Sequence, residues 1–423
     1  MLQEDKQILW RASAAMIGMA MPMMVLGKGV MFSLLLLGMV LGLMATKDES
    51  LRVTVRLLLD SWVTLVVVVL LGALLAGVMT GINPAYSFER WTHVVLEAVC
   101  AGLMFITLRE MPGRHVELLM KVLAAGTMAA AALGVLDALI GDPRLSAALH
   151  GADKALTPYR LNFLSSDLAV LLPFVWARLM LKAREGEPFA VRINEPVVAF
   201  GLMAVMICGG RSGWAGLLVG IAVFMLMAGR YHGLVLHARQ WLGGLLALMA
   251  GVALYAVAFG WTFAWDRVSI VGEQGVGRGM LSGRLEVWHS ALVHVLDKPV
   301  FGVGVMNFRN LPGSVDLHPH NWLLQIFLEG GAVSTVIYLG LLGLLLVRFT
   351  RYAKGNLYGV AALASLSAFL VAGLVNTSIF NLSWLTFFSL LCLLGWRAGW
   401  GGEDLKRRRR RPTVVKASSG LEP

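Results

Sequence analysis

Apolar residues run along this chain in long blocks, separated by short polar seams. Twelve such blocks fall roughly at Ala12–Val25, Val30–Thr46, Leu57–Met79, Trp91–Leu108, Leu118–Ile140 and Phe163–Leu181, then at Pro196–Cys208, Gly213–Met227, Leu242–Trp261, His320–Val347, Leu357–Ile379 and Leu382–Trp400. A helix needs about 20 apolar residues to cross the hydrocarbon core of a bilayer. The pattern therefore predicts an all-α integral membrane protein, a single bundle of about twelve transmembrane helices. The first, seventh and eighth blocks are short by that rule, which predicts that they border a cavity more than lipid.

The widest seam, about Thr262 to Pro319, separates the ninth and tenth blocks. Within it, "SGRLEVWHSALVHVL" spaces Leu285, Trp288, Leu292 and Val295 or Leu296 at helical intervals. This predicts an amphipathic helix lying on the membrane surface. The chain thus divides into nine spans (1–261), a long loop (262–319), three spans (320–400) and a basic tail (401–423).

Composition agrees: 58% of the 423 residues are hydrophobic and 14% charged, against about 45–50% and 25% in soluble domains. The formal charge of +11 is unevenly placed. With the N-terminus cytoplasmic, 25 of the 36 Lys and Arg fall in cytoplasmic seams, including the run Lys406 to Arg411. The positive-inside rule then puts both termini in the cytoplasm and the long loop on the opposite, outer side. The basic run reads as a topology signal and an anionic-lipid contact. No aromatic-interleaved basic module accompanies it, so nucleic acid is not an expected partner. The N-terminus lacks the pattern of a removable signal peptide. Cys100, Cys208 and Cys392 each lie inside an apolar block, and an odd number at wide spacing predicts neither disulfides nor a thiolate metal site.

Polar groups at membrane depth are costly and usually mark a site. The tenth block opens on "HPHNWLLQIFLEGG", His318 to Gly331. Asn321, Gln325 and Glu329 follow at i, i+4, i+8 and so share one helix face. His318 and His320 stand at its mouth, and Pro319 suits a helix start. Three arginines converge on the same side: Arg211 in "CGGRSGWAG", Arg160 in "PYRLNFLSSD" and Arg284 at the start of the amphipathic helix. Arginine stays charged and grips phosphate in bidentate fashion, so the set suits a phosphate- or diphosphate-bearing ligand. Lys28 and Arg90, also on that side, read as interfacial snorkelling residues.

Other chemistries lack their residues. No D-x-D or E-x-D lies on the loop side, and the E-x-E of Glu185 and Glu187 is cytoplasmic. A carboxylate-bridged divalent cation is therefore not expected. His318 and His320 have no third ligand for a metal. Neither a G-x-S-x-G elbow nor H-E-x-x-H occurs. The lone G-x-G at Gly302 and Gly304 follows no strand, so no dinucleotide site is expected. Glu97, Asp137 and Asp167 lie in or beside spans without an assigned role, although Asp167 is two turns from Arg160 and placed to orient it.

"GGRSGWAG", "SGRLEVWHSAL…KPVFGVG" and "HNWLLQIFLEGG", with twelve spans and a long loop after the ninth, resemble the bacterial O-antigen ligase family of the ligase and polymerase superfamily of lipopolysaccharide assembly. The resemblance implies an inner-membrane glycosyltransferase whose active site faces the periplasm. It implies a donor glycan on undecaprenyl diphosphate and, for a ligase, a sugar hydroxyl of lipid A–core as acceptor, with no metal, nucleotide or other cofactor. On these residues it makes His320 the general base, with His318 the second candidate. Arg211, Arg284 and Arg160 hold the leaving diphosphate, Asn321, Gln325 and Glu329 support the site or touch sugar, and the anomeric centre inverts. A polysaccharide polymerase would use the same donor with a second polyprenyl-linked glycan as acceptor. A lipid-linked glycan transporter would call for an internal repeat and charges along several mid-bilayer helices, neither of which the sequence carries.

Overall fold

The computed structural model describes residues 3–140, 158–235, 237–261, 284–314, 316–376 and 378–410, with side chains described except at 158–160 and 400–410. The fold is all-helical, and no strand occurs among the described residues. Fourteen helices are described in chain order: α1 (Gln3–Ala20), α2 (Lys28–Ala45), α3 (Asp48–Leu59), α4 (Trp62–Thr80), α5 (Pro84–Glu110), α6 (Gly113–Ile140) and α7 (Pro158–Arg184), then α8 (Pro188–Ile207), α9 (Arg211–His232), α10 (Ala238–Phe259), α11 (Arg284–Val295), α12 (Trp322–Gly355), α13 (Leu357–Asn376) and α14 (Leu382–Arg410). Eleven of them are long and apolar enough to cross a membrane. The protein is a multi-pass membrane protein.

The expected twelfth span, the first in the chain, is α1. It has 18 residues, but Glu4, Asp5, Lys6 and Arg11 make its first half polar. Its second half packs on α2 and α6 through Ser13, Ala14 and Ile17. The third expected block is cut in two. Ser61 accepts a hydrogen bond from the Val63 N–H (3.2 Å) and starts α4 afresh. Leu57 and its neighbours therefore belong to α3, a separate amphipathic helix that exposes Arg52 and Arg56. α3 is held to α5 through Glu110, which accepts from the hydroxyls of Ser50 and Thr54.

The short seventh and eighth blocks are not short helices. α8 and α9 have 20 and 22 residues, because polar residues such as Arg192, Asn194 and Arg230 continue the helix beyond the apolar stretch. Pro319 does not start a helix. α12 begins at Trp322, capped by Asn321.

Burial separates the bundle's centre from its rim. The apolar windows of α7 and α13 are 78% and 67% buried, against 22% for α4 and 17% for α10. α13 packs on α7, α9, α12 and α14. Small residues permit this: a Cβ on Gly216 of α9 would lie 2.9 Å from the Ala368 carbonyl oxygen and 3.3 Å from the Ala372 side chain. The rim instead exposes Leu65, Val68, Leu245 and Met249, as helices facing lipid do.

Candidate functional site

The site is built around an interruption in α12. At Gly331 the backbone takes φ 69°, ψ −178° inside an otherwise continuous helix. Such a break frees carbonyls above it and N–H groups below it, and inside a membrane these must be satisfied by protein. The segment 299–304 does this. Val303 and Gly304 donate to the carbonyls of Leu328 (2.9 Å) and Glu329 (3.1 Å), while Ala332 and Val333 donate to those of Pro299 (2.8 Å) and Val300 (3.2 Å). Two backbones can cross this closely only where side chains are missing. A Cβ on Gly302, itself at φ 76°, would lie 2.4 Å from the Glu329 carbonyl carbon. "KPVFGVG" and "EGG" are thus two halves of one crossing, and the G-x-G is accounted for by packing.

Glu329, fully buried, secures the crossing. Its carboxyl accepts from the N–H groups of Met306 (2.9 Å) and Phe308 (3.1 Å) and from Gln325 Nε2 (2.9 Å). Gln325, also fully buried, accepts at Oε1 from the Ile379 N–H (3.0 Å), tying α12 to the turn before α14. Asn321 accepts from the N–H groups of Leu323 and Leu324, both at 3.0 Å, and so caps α12. The three residues expected to share a face thus each hold backbone.

Above this frame stand the histidines. His320 adopts φ 55°, a left-handed conformation that non-glycine residues seldom take. Its N–H donates to His318 Nδ1 (3.2 Å), and the two rings lie 4.0 Å apart between centroids. That bond makes His318 Nδ1 an acceptor. His320 Nε2 is 2.9 Å from Asp316 Oδ2. With Nε2–H donating to the carboxylate, the lone pair is left on Nδ1, a buried atom without a hydrogen-bond partner. Burial pushes His318 down to about 3, with the charges of His320 and Arg284 acting the same way. Burial also lowers His320, joined by Arg284 and opposed by Asp316. Burial would raise Asp316, but the Leu317 N–H and the two histidines outweigh it and hold the carboxyl low.

Arg284 opens α11 and donates through Nη2 to Asn376 Oδ1 (3.3 Å) at the end of α13. Trp288, one turn on, donates its indole N–H to the Pro319 carbonyl (3.1 Å) and fixes the His-Pro-His segment to α11. Arg211 begins α9, and Gly216, five residues on, backs onto Ala372, four residues before Asn376. Arg211 and Arg284 therefore stand at the same end of α13. Arg160 lies in the first turn of α7, on a side chain outside the described residues. Asp167, seven residues on, is buried within Coulombic reach of Lys28.

α11 turns Leu285 and Leu292 of its predicted apolar stripe outward and has a second apolar face that the spacing did not single out. Val287, Ala291 and Val295 are buried against Phe308, Leu311 and Leu328. Leu285, Leu292 and Leu296 are exposed on the opposite face. The helix is apolar on two sides, one for protein and one open. The glycine-rich stretch before it, 262–283, lies outside the described residues.

Sequence reasoning missed Asp316 and Asn376, and it read Trp288 only as part of an apolar stripe. Asp316 stands four residues before His320 in a loop and carried no periodic signal. Asn376 lies 92 positions from Arg284 in a short polar run with no motif to single it out. Among the described residues, no three His, Cys, Asp or Glu side chains gather closely enough to hold a metal ion.

Residues 196–339 match the family model described as O-antigen ligase. A Rickettsia conorii protein provisionally named a polysaccharide ligase is 22% identical over 117 residues, a match covering 24% of this chain and 28% of that relative. The family match takes in Arg211, Arg284, Asp316, both histidines and the α12 crossing. The matched stretch, residues 196–339, is about a third of the chain, and over it the chain is similar to the O-antigen ligase family.

Proposed function

We propose that this protein is a membrane glycosyltransferase of the ligase type. It transfers a glycan from undecaprenyl diphosphate to a sugar hydroxyl of lipid A–core at the periplasmic face of the inner membrane. The observation that carries this reading is His320. It is held in a strained backbone conformation, its Nε2 bonded to Asp316 and Arg284 nearby, and such strain concentrates at functional sites.

The acceptor hydroxyl gives its proton to His320 Nδ1 as its oxygen attacks the anomeric carbon. The bond from that carbon to the diphosphate breaks on the opposite face, so the centre inverts. Undecaprenyl diphosphate leaves with the electron pair. Arg284 and Arg211, with Arg160 as a third contributor, stabilise the departing charge by preorganised positive charge. Asp316 fixes the His320 tautomer and stabilises the imidazolium that forms. A lowered imidazole pKa keeps the base neutral at pH 7. His318, pushed to about 3, stays neutral and shapes the turn.

The test is reconstitution with undecaprenyl-diphosphate glycan, lipid A–core and EDTA, read by gel mobility of the lipopolysaccharide. Wild type is expected to shift the acceptor, and His320→Ala to lower the rate about 10²–10⁴-fold, the usual contribution of a general base. Longer polyprenyl-linked chains without modified lipid A–core would identify a polymerase instead. No product from verified substrates and folded protein would end the transferase reading.

A further inference from the structure

A second basic cluster stands at the same end of the bundle, on the far side of the segment 299–311. α5 starts there, capped by Asn83, which accepts from the Tyr86 N–H (3.2 Å). Its first turn is tied to that segment: Ile82 N–H donates to the Val303 carbonyl (3.1 Å) and Ser87 Oγ to that of Val305 (2.9 Å). This docking brings Arg309, from the 3-10 turn Asn307–Asn310, over the ring of Tyr86. Arg90, one helical turn beyond Tyr86, covers the same ring. The guanidinium carbons lie 5.8 Å and 5.0 Å from its centroid.

Two cations on one aromatic ring repel each other, and their neighbours do little to neutralise them. Glu89 reaches Arg90 at 3.6 Å but is 60% exposed, and solvent-exposed pairs contribute little. No carboxylate among the described residues pairs with Arg309. Arg90 Nε is buried without a hydrogen-bond partner. Beside the cluster the surface turns apolar. Phe88 stacks on Trp91 at 5.7 Å, and Phe88, Ile82 and Met79 are exposed. Aromatic residues at the end of a spanning helix mark headgroup depth.

We propose that Tyr86, Arg90 and Arg309 bind the phosphate ester of a membrane lipid whose chains lie along Phe88, Ile82 and Met79. A phosphate placed between two guanidinium groups relieves their repulsion and takes their paired N–H donors. The apolar rim selects an amphiphile over a soluble anion. The site uses none of the residues assigned to the His320 pocket, and its occupancy does not depend on the transferase reading. Its source is either a phospholipid headgroup or a phosphorylated glycolipid.

Native mass spectrometry of the delipidated full-length protein in detergent tests this, with three probes: phosphatidylglycerol, diphosphorylated lipid A and the phosphate-free diacylglycerol. Wild type is expected to retain a phosphate-bearing lipid and not diacylglycerol. The double variant Arg90→Gln/Arg309→Gln is expected to bind at least tenfold more weakly. Arg309→Gln alone, at an exposed position, weakens binding several-fold and serves if the double variant does not fold. Lys121→Gln, exposed on α6 away from the cluster, leaves it unchanged. Preference for phosphatidylglycerol assigns the site to ordinary headgroups, and preference for lipid A to a phosphorylated glycolipid. Equal binding by wild type and the arginine variants, or equal retention of diacylglycerol, overturns the proposal.

Discussion

α12 and α13 pack side by side and follow opposite rules. α13 is unbroken, enclosed and almost without polar chemistry: Ala361, Ala362, Ala364 and Ala368 let its neighbours approach closely. α12 is interrupted at Gly331, and its freed backbone groups are met by a segment some thirty residues earlier in the chain. Close packing gives α13 rigidity and nothing to react with. The break in α12 costs helix hydrogen bonds, and in return it anchors the loop that carries Asp316 and His320. The polar mouth that the sequence displays is therefore mostly scaffold, and the groups proposed to react stand above it.

The largest test of that contrast is Glu329→Ala. It leaves the N–H groups of Met306 and Phe308 and the Gln325 amide without their acceptor. A buried unsatisfied donor costs about 1–3 kcal/mol, so a loss of several kcal/mol is expected in thermal unfolding. Faster hydrogen exchange across Val303–Phe308 should accompany it. Ser365→Ala on α13 is the counterpart. That hydroxyl is fully buried and has no hydrogen-bond partner, so its removal should not destabilise and is expected to stabilise by about 1 kcal/mol. Equal losses from the two substitutions would erase the distinction between the helices.

Gly331→Ala sharpens the contrast within α12 itself. The Gly331 backbone lies in a positive-φ region that is essentially glycine-only and costs another residue about 1–3 kcal/mol, and the new Cβ would sit 2.3 Å from the Val300 carbonyl oxygen. Gly340 and Gly343, further along the same helix, have no neighbour within 4 Å of a Cβ. Alanine at either is expected to stabilise by about 0.5–1 kcal/mol. Thermal unfolding of the three variants in one detergent should give one loss and two gains.

Much of this was legible in the sequence, for identifiable reasons. Spans announce themselves because lipid admits only long apolar stretches, and "HPHN" stood out because it violates that rule. The boundary at Asp60–Ser61 was hidden because apolar residues resume at once on either side of this short polar pair, and only the Ser61 cap marks a new helix. The crossing at Gly331 was hidden for a different reason. Its two glycine motifs are each uninformative alone, and their pairing is a fact of tertiary structure. Asp316 escaped notice because a loop carries no periodicity to single it out. The same blindness applied to the inner face of α11, where Val287 and Ala291 pack on the protein although the spacing singled out Leu285 and Leu292.

Asp316→Asn probes the mouth of α12. The carboxylate raises the His320 pKa, against burial and Arg284, which lower it. Its loss should lower that pKa further. A base works in its neutral form, so the acid limb of the rate profile should move to lower pH while the maximal rate falls about 10²-fold through the lost tautomer preference. Arg284→Gln removes a lowering charge and should move the limb to higher pH. A purely structural role for Asp316 would reduce the rate and leave the limb where it was.

The smallest effect belongs to Asn321, and it separates scaffold from site most cleanly. Its side chain takes two of the donors that a helix start leaves open. Asn321→Ala should cost about 1 kcal/mol of stability, the usual value of a lost N-cap. Asn321→Asp retains an acceptor at the same place, and its charge favours the helix start, so stability should return to near wild type. A sugar-binding Asn321 would behave differently. Alanine would then leave unfolding unchanged and raise KM for the acceptor, and aspartate would not restore it. Following unfolding and KM together in the two variants decides whether the polar face of α12 is structural up to its first residue.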